Sequence, residues 1–157
     1  MYTKTGGDGT KYWYLDPELT ILHRENKPAI ECENSYKCWY INGKRHREDG
    51  PAIEYVHGHK RWYIDGNLHQ EDGPAVEYID GHKEYYVNGK RHREDGPACE
   101  YADGGKEYYI DNKLHREDGP AVILFNGEKD YYFKGKEYPD IKTDEDWIKF
   151  LKLKNFW

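Results

Sequence analysis

The run His-Arg-Glu-Asp-Gly-Pro-Ala begins at His46 and recurs at His92 and His115. A variant with Gln for Arg begins at His69, and a weaker copy, His-Arg-Glu-Asn-Lys-Pro-Ala, begins at His23. The five starts are 23 residues apart. A fixed period of this length means tandem copies of one supersecondary unit, each burying its apolar face against the next. The repetition also constrains function. A catalytic group is needed once, whereas a residue present in every copy either holds the copies together or presents one contact many times.

Each copy reads as short strands. From His69, the stretch Ala75-Val76-Glu77-Tyr78-Ile79 and the stretch His82-Lys83-Glu84-Tyr85-Tyr86-Val87 flank Asp80-Gly81. Two runs rich in β-branched and aromatic residues around Asp-Gly predict a hairpin. Asn88-Gly89 predicts a second turn, with counterparts at Asn42-Gly43 and Asp65-Gly66. The Pro of each Asp-Gly-Pro fixes φ and cannot donate to a ladder, so it stops the chain before each new strand. A two-residue turn at Asp80-Gly81 pairs Val76 with Tyr85. It puts Val76, Tyr78, Tyr85 and Val87 on one face and Ala75, Glu77, Glu84 and Tyr86 on the other. This register sets Glu77 opposite Glu84 and Glu100 opposite Glu107, a mildly unfavourable pairing.

The expected fold is all-β: an elongated antiparallel β-meander of 23-residue hairpin repeats, closed by a short C-terminal α-helix. Residues 1–22 form a partial repeat or cap, in which Asp8 to Leu15 match a turn and second strand. Residues 23–137 hold the five repeats, and 138–157 the capping helix. Thr143 reads as its N-cap, followed by Asp144, Glu145 and Asp146. Trp147, Phe150, Leu151 and Lys154 fall at helical spacing, with Phe156 and Trp157 after them. The last strands, Val122 to Phe125 and Tyr131 to Phe133, are apolar on both faces and are expected beneath this cover.

Hydrophobic residues are only 36% of the 157, but 16 Tyr and 5 Trp supply large buried area. No apolar run reaches membrane-helix length and no signal-peptide segment opens the chain, so an intracellular protein with no membrane partner is expected. Three cysteines without a CxxC pair do not make a disulfide framework. Cys32 and Cys38 are expected on opposite faces of one hairpin. The net charge of −6 argues against nucleic-acid binding and favours a basic partner.

The segment Lys83-Glu84-Tyr85-Tyr86-Val87-Asn88-Gly89-Lys90, with equivalents at Lys37 to Lys44, Lys60 to Asn67, Lys106 to Lys113 and Lys129 to Lys136, resembles the MORN-type repeat. It is most similar to the variant found in bacterial antitoxin-like proteins and in phage and giant-virus proteins. The resemblance covers most of residues 8–137. It implies a β-meander used for protein–protein contact and no fixed activity. The His-x-Glu-Asp-Gly-Pro connection departs from the ordinary unit, so lipid or membrane-junction roles are not carried over. The pairs Trp39-Tyr40, Trp62-Tyr63 and Tyr85-Tyr86 also resemble aromatic hairpin repeats that bind choline or glucan on bacterial surfaces.

The His/Glu/Asp triplets, such as His46/Glu48/Asp49, have two readings. One is a ladder of metal or acid–base sites. The other, favoured because one catalytic set would suffice, is a turn: Asp caps backbone N–H groups, Gly supplies an unusual φ, Pro ends the ladder and His bonds to the next copy. No phosphate loop, nucleophile elbow, zinc signature or dinucleotide fingerprint is present. No enzymatic activity, cofactor or metal is therefore expected. The binding candidates are a tyrosine row, Tyr40, Tyr63, Tyr86 and Tyr109 (continued by Tyr132), with Glu54, Glu77, Glu84, Glu100 and Glu107. They are expected to form a Tyr/Glu-rich sheet face that occludes a protein partner, as an inhibitor or antitoxin-like factor would. A carbohydrate- or choline-binding array and a structural spacer are the alternatives, and open sheet edges allow self-association.

Overall fold

The structure, a computed structural model, describes residues 1–154; Asn155, Phe156 and Trp157 lie outside the described residues. The chain is mostly β, and twelve of the described strands follow one another as an antiparallel meander. It divides into two compact units, residues 1–79 with 87–89, and 80–86 with the residues from 90 onward. In the first unit the meander strands are Tyr2–Thr5, Lys11–Tyr14, Ile30–Cys32, Tyr36–Cys38, Ile53–Tyr55, Lys60–Arg61 and Val76–Glu77. In the second they are Lys83–Glu84, Cys99–Glu100, Lys106–Glu107, Val122–Ile123 and Lys129–Asp130. Among the described residues no helix is long and apolar enough to cross a membrane.

The loop inside each hairpin sets the register. In the second copy it is Val56-His57-Gly58. The Tyr55 amide donates to the His59 carbonyl at 3.0 Å and the Gly58 amide to the Tyr55 carbonyl at 2.9 Å. Gly58 has φ +102°, so this is a three-residue loop ending in a left-handed residue. The same closure recurs at Tyr101/Gly104 and Leu124/Gly127. The residue before the glycine locks it: Asp103 Oδ1 accepts the Gly105 amide at 2.9 Å and Asn126 Oδ1 accepts that of Glu128 at 3.0 Å. This corrects the expected two-residue Asp-Gly turn. An extra residue in the loop shifts the register by one, and because side chains alternate, the second strand turns its faces over.

Cys99 therefore faces Glu107, and Glu100 faces Lys106, so the like-charged Glu100/Glu107 pair does not form. Lysine and glutamate instead alternate across one face. In the first unit the partners run Lys11, Glu31, Lys37, Glu54, Lys60, Glu77. In the second, Glu100 sits between Lys83 and Lys106. Opposite charges across strands stabilise each rung modestly. The other face carries the apolar residues: in the first unit Ile30, Cys38, Ile53 and Tyr63 form a buried cluster with Ala52. The same shift places Cys32 opposite Tyr36 and Cys38 opposite Ile30, on one face rather than two; both are free thiols.

After each second strand the chain makes a shorter hairpin, such as Tyr40–Ile41 with Lys44–Arg45 and Tyr109–Ile110 with Lys113–Leu114. Its turn has two left-handed residues, Asn42 (φ 50°) and Gly43 (φ 77°) in the first copy, as a type I′ turn requires. The expected Asn-Gly turns are thus present.

The helix Asp144–Lys154 closes the second unit. Thr143 Oγ1 accepts the Asp146 amide at 3.1 Å, which makes it the N-cap. Trp147 is fully buried, packs on Tyr131 and donates from Nε1 to the Arg116 carbonyl at 3.2 Å. Asp144 accepts the Tyr131 hydroxyl at 2.6 Å. The cover is narrower than the sequence suggests, because Leu124 and Phe125 remain 40% and 73% exposed.

Candidate protein-binding surface

The arginine of the recurrent loop organises its surroundings. Arg47 lies over the Trp39 ring, 4.1 Å from its centroid. Its Nη1 donates to Glu54 Oε1 at 2.7 Å and to the Pro51 carbonyl at 3.1 Å, and its Nε to Asp49 Oδ1 at 2.8 Å. Arg93 repeats the arrangement with Tyr85, Glu100, Pro97 and Asp95. Arg24 uses Trp13, Glu31 and Pro28. Arg116 uses Tyr108, Pro120 and Asp118, with Ile123 at the glutamate position. One planar cation thus ties the strand before the loop to the strand after it, a task suited to a rigid fork. The hydrogen bond from arginine holds Asp49, Asp95 and Asp118 below the usual carboxylate range, assisted by its charge.

This explains the glycine. None of Gly50, Gly73, Gly96 and Gly119 has a left-handed φ, which corrects the expected role. A Cβ on Gly50 would lie 2.9 Å from Arg47 Cζ, and one on Gly96 2.9 Å from Arg93 Cζ. The glycine gives the guanidinium room. The aspartate, likewise, binds arginine rather than capping a backbone amide.

The histidine closes its own copy, which corrects the expected bond to the next one: each ring meets a turn residue 19 positions on, inside the same 23 residues. His23 Nδ1 accepts the Asn42 amide at 3.1 Å, His46 that of Asp65 at 3.2 Å, and His69 that of Asn88 at 3.1 Å. His92 and His115 accept from Asp111 and Lys134 at 3.3 and 3.1 Å. Each ring thereby caps the turn of the following short hairpin. Among the described residues no three His, Cys, Asp or Glu side chains converge as a metal site would need.

The nine binding candidates do not share a face. Tyr63 is buried in the first unit's core and Tyr40 packs against it. Arg45 lies between them, 5.9 Å from the Tyr40 ring and 5.4 Å from that of Tyr63. Glu84 is buried, opposite Cys99, and accepts the Tyr86 hydroxyl at 2.6 Å. Tyr86 and Tyr109 are half-buried, with Arg91 near both rings. Burial, then Glu107, pushes the Tyr109 hydroxyl up to about 12. Glu107 is half-buried, opposite Cys99 and Val122. The tyrosine row, Glu84 and Glu107 thus face inward as a polar network, while Glu54, Glu77 and Glu100 lie on the opposite face between lysines. The cause is the one-residue shift at the hairpin loops.

What the loops do present outward is acid. The arginines are only 17% (Arg24) to 24% (Arg93) exposed, whereas Glu48, Glu94 and Glu117 are 85%, 87% and 71% exposed. Charge is sorted by depth, so within each unit these locally mixed loops end in acid. In the second unit a groove of ≈ 840 Å³ runs between two loops, lined by Glu94, Asp95, Glu117 and Asp118 over Tyr108. The arginines and these outer carboxylates were not among the residues singled out for binding; their recurrence with the motif was the available signal. No protein-family model matches the chain, and no curated protein matches it.

Proposed function

We propose that the protein acts without catalysis, by binding another protein that has a basic surface. The depth-sorted charge of the loops supports this most: the turns of Arg47, Arg93 and Arg116 hold the arginine inside and extend Glu and Asp into solvent. A rim of one sign, repeated copy after copy, steers and orients a partner of the other sign. The similarity to MORN-type repeats favours a narrower form, an inhibitor or antitoxin-like factor that occludes its target, such as a phage factor acting on a host defence enzyme. Ring stacking weighs against the choline or carbohydrate array, because arginines already cover Trp13, Trp39, Tyr85 and Tyr108. The test is affinity capture with the wild type and with Glu48→Lys/Glu94→Lys/Glu117→Lys. Among the described residues these carboxylates pair with histidine rings alone, 3.6 to 3.8 Å away, so the fold should survive. One stoichiometric partner, lost with the triple variant, is the expected result. Equal capture by both would remove the rim from the account, and capture by neither would contradict protein binding.

A further inference from the structure

Four loops place their own arginine in the same cradle: a ring beneath, the Pro carbonyl and, in three of them, a Glu oxygen in reach of Nη1. The third copy has the cradle without the arginine. Gln70 stands at the arginine position, Trp62 at the ring position, Pro74 and Glu77 at the Pro and Glu positions, and Asp72 at the aspartate position. The backbone there is unchanged: the Trp62 amide donates to the Ala75 carbonyl at 2.8 Å, as Trp39 does to Ala52. Glu77 faces Lys60 as Glu54 faces Lys37. Yet among the described residues Gln70, Trp62, Asp72 and Glu77 make no ring stack, ion pair or side-chain hydrogen bond. A Cβ on Gly73 would meet only Gln70 Cγ, at 3.8 Å, where one on Gly50 or Gly96 meets a guanidinium carbon at 2.9 Å and one on Gly119 at 3.4 Å.

We infer that the third copy takes a guanidinium in trans, an arginine side chain of the partner protein, between the Trp62 ring and the Glu77 and Asp72 carboxylates. The other copies supply the template for its geometry: a ring 3.8 to 4.1 Å from the guanidinium carbon and a Glu oxygen 2.7 Å from Nη1. The site asks for arginine, because lysine has neither the flat face nor the fork to meet ring, carboxylates and carbonyl together. Gln70 is too short to reach what arginine reaches and carries no charge, so it leaves both carboxylates to an incoming cation. The inference rests on the protein-binding reading for its source of arginine, but not for the cradle itself.

The experiment titrates N-α-acetyl-argininamide and N-α-acetyl-lysinamide into the protein and follows the tryptophan indole N–H resonances. Trp62 is assigned with Trp62→Phe. The arginine probe should shift Trp62 alone, with millimolar affinity, as expected of one such contact, and the lysine probe should shift it far less. Gln70→Arg should raise the melting temperature and abolish the shift. Arg47→Gln should create the response anew at Trp39. An arginine probe that leaves Trp62 unmoved, or moves it equally in Gln70→Arg, would overturn the cradle. With the captured partner, Gln70→Arg should weaken binding about tenfold. Undiminished capture would overturn the partner's arginine as occupant and leave the protein-binding reading intact. Probe binding with no protein captured would instead remove the partner and leave a small guanidinium compound as the ligand.

Discussion

Replacing Arg47 with Gln recreates at the second copy what the chain already carries at the third. Four interactions are lost. The cation over Trp39 contributes about 0.5–1 kcal/mol at a partly exposed site. The bonds to Glu54 and Asp49 involve carboxylates 38% and 86% exposed, so each contributes about 0.2–1 kcal/mol rather than the value of a buried pair. The half-buried Pro51 carbonyl loses its arginine donor, worth about 1 kcal/mol. The expected loss is about 2–4 kcal/mol, or a melting temperature lower by about 4–16 °C for a chain of this size. Urea titration read by tryptophan fluorescence measures it. A double-mutant cycle with Glu54→Gln should return a coupling of about 0.5–1 kcal/mol. Gln70→Ala, where no arginine contact exists, should stay within about 0.5 kcal/mol of wild type. A loss at Arg47 no larger than that at Gln70 would refute the idea that the guanidinium joins consecutive strands.

Gly50→Ala should cost about 1–3 kcal/mol, because its Cβ meets Arg47 Cζ at 2.9 Å. Gly73→Ala should be neutral or gain about 0.4–1 kcal/mol, since only Gln70 Cγ lies near, at 3.8 Å, and the unfolded chain loses freedom; equal effects in chemical denaturation would contradict the clearance argument. Burial holds the His115 imidazole below its ordinary value of 6.5, with Lys134 adding to this and Glu117 opposing it. The folded state therefore prefers the neutral ring. Its contribution is complete above the unfolded value and is lost as pH falls below it, so His115→Asn should flatten the decline in urea midpoint between about pH 7.5 and pH 5. An unchanged slope would remove His115 from the acid response. Trp147→Ala should cost about 3–5 kcal/mol, seen by calorimetry, because the ring is fully buried between Tyr131 and Phe150.

The period, the strand pattern, the type I′ turns and the Thr143-capped helix were legible in the sequence, since each depends on local chemistry. Register was not. Asp-Gly suits both a two-residue turn and the last two positions of a three-residue loop, and the choice decides which side of the sheet every second-strand residue takes. Glu84 and Glu107 look exposed by composition and lie inward because Tyr86 and Arg91 satisfy Glu84 and the inner face is a mixed polar network. That the histidine holds the repeat together could be anticipated from its recurrence, although its bond falls within its own copy. The glycine's purpose could not, because it depends on where a side chain three residues earlier comes to rest. Gln70 was visible as a single-letter departure, but its meaning needed the geometry of the other four copies.

The most direct test of the account is a hydrogen-exchange footprint of the complex with the captured partner, against the free protein. Slowed exchange should concentrate in the recurrent loops, around Glu48-Asp49, Glu71-Asp72, Glu94-Asp95 and Glu117-Asp118. A footprint confined to the Lys/Glu sheet face or to the short hairpins, with the loops unchanged, would contradict it.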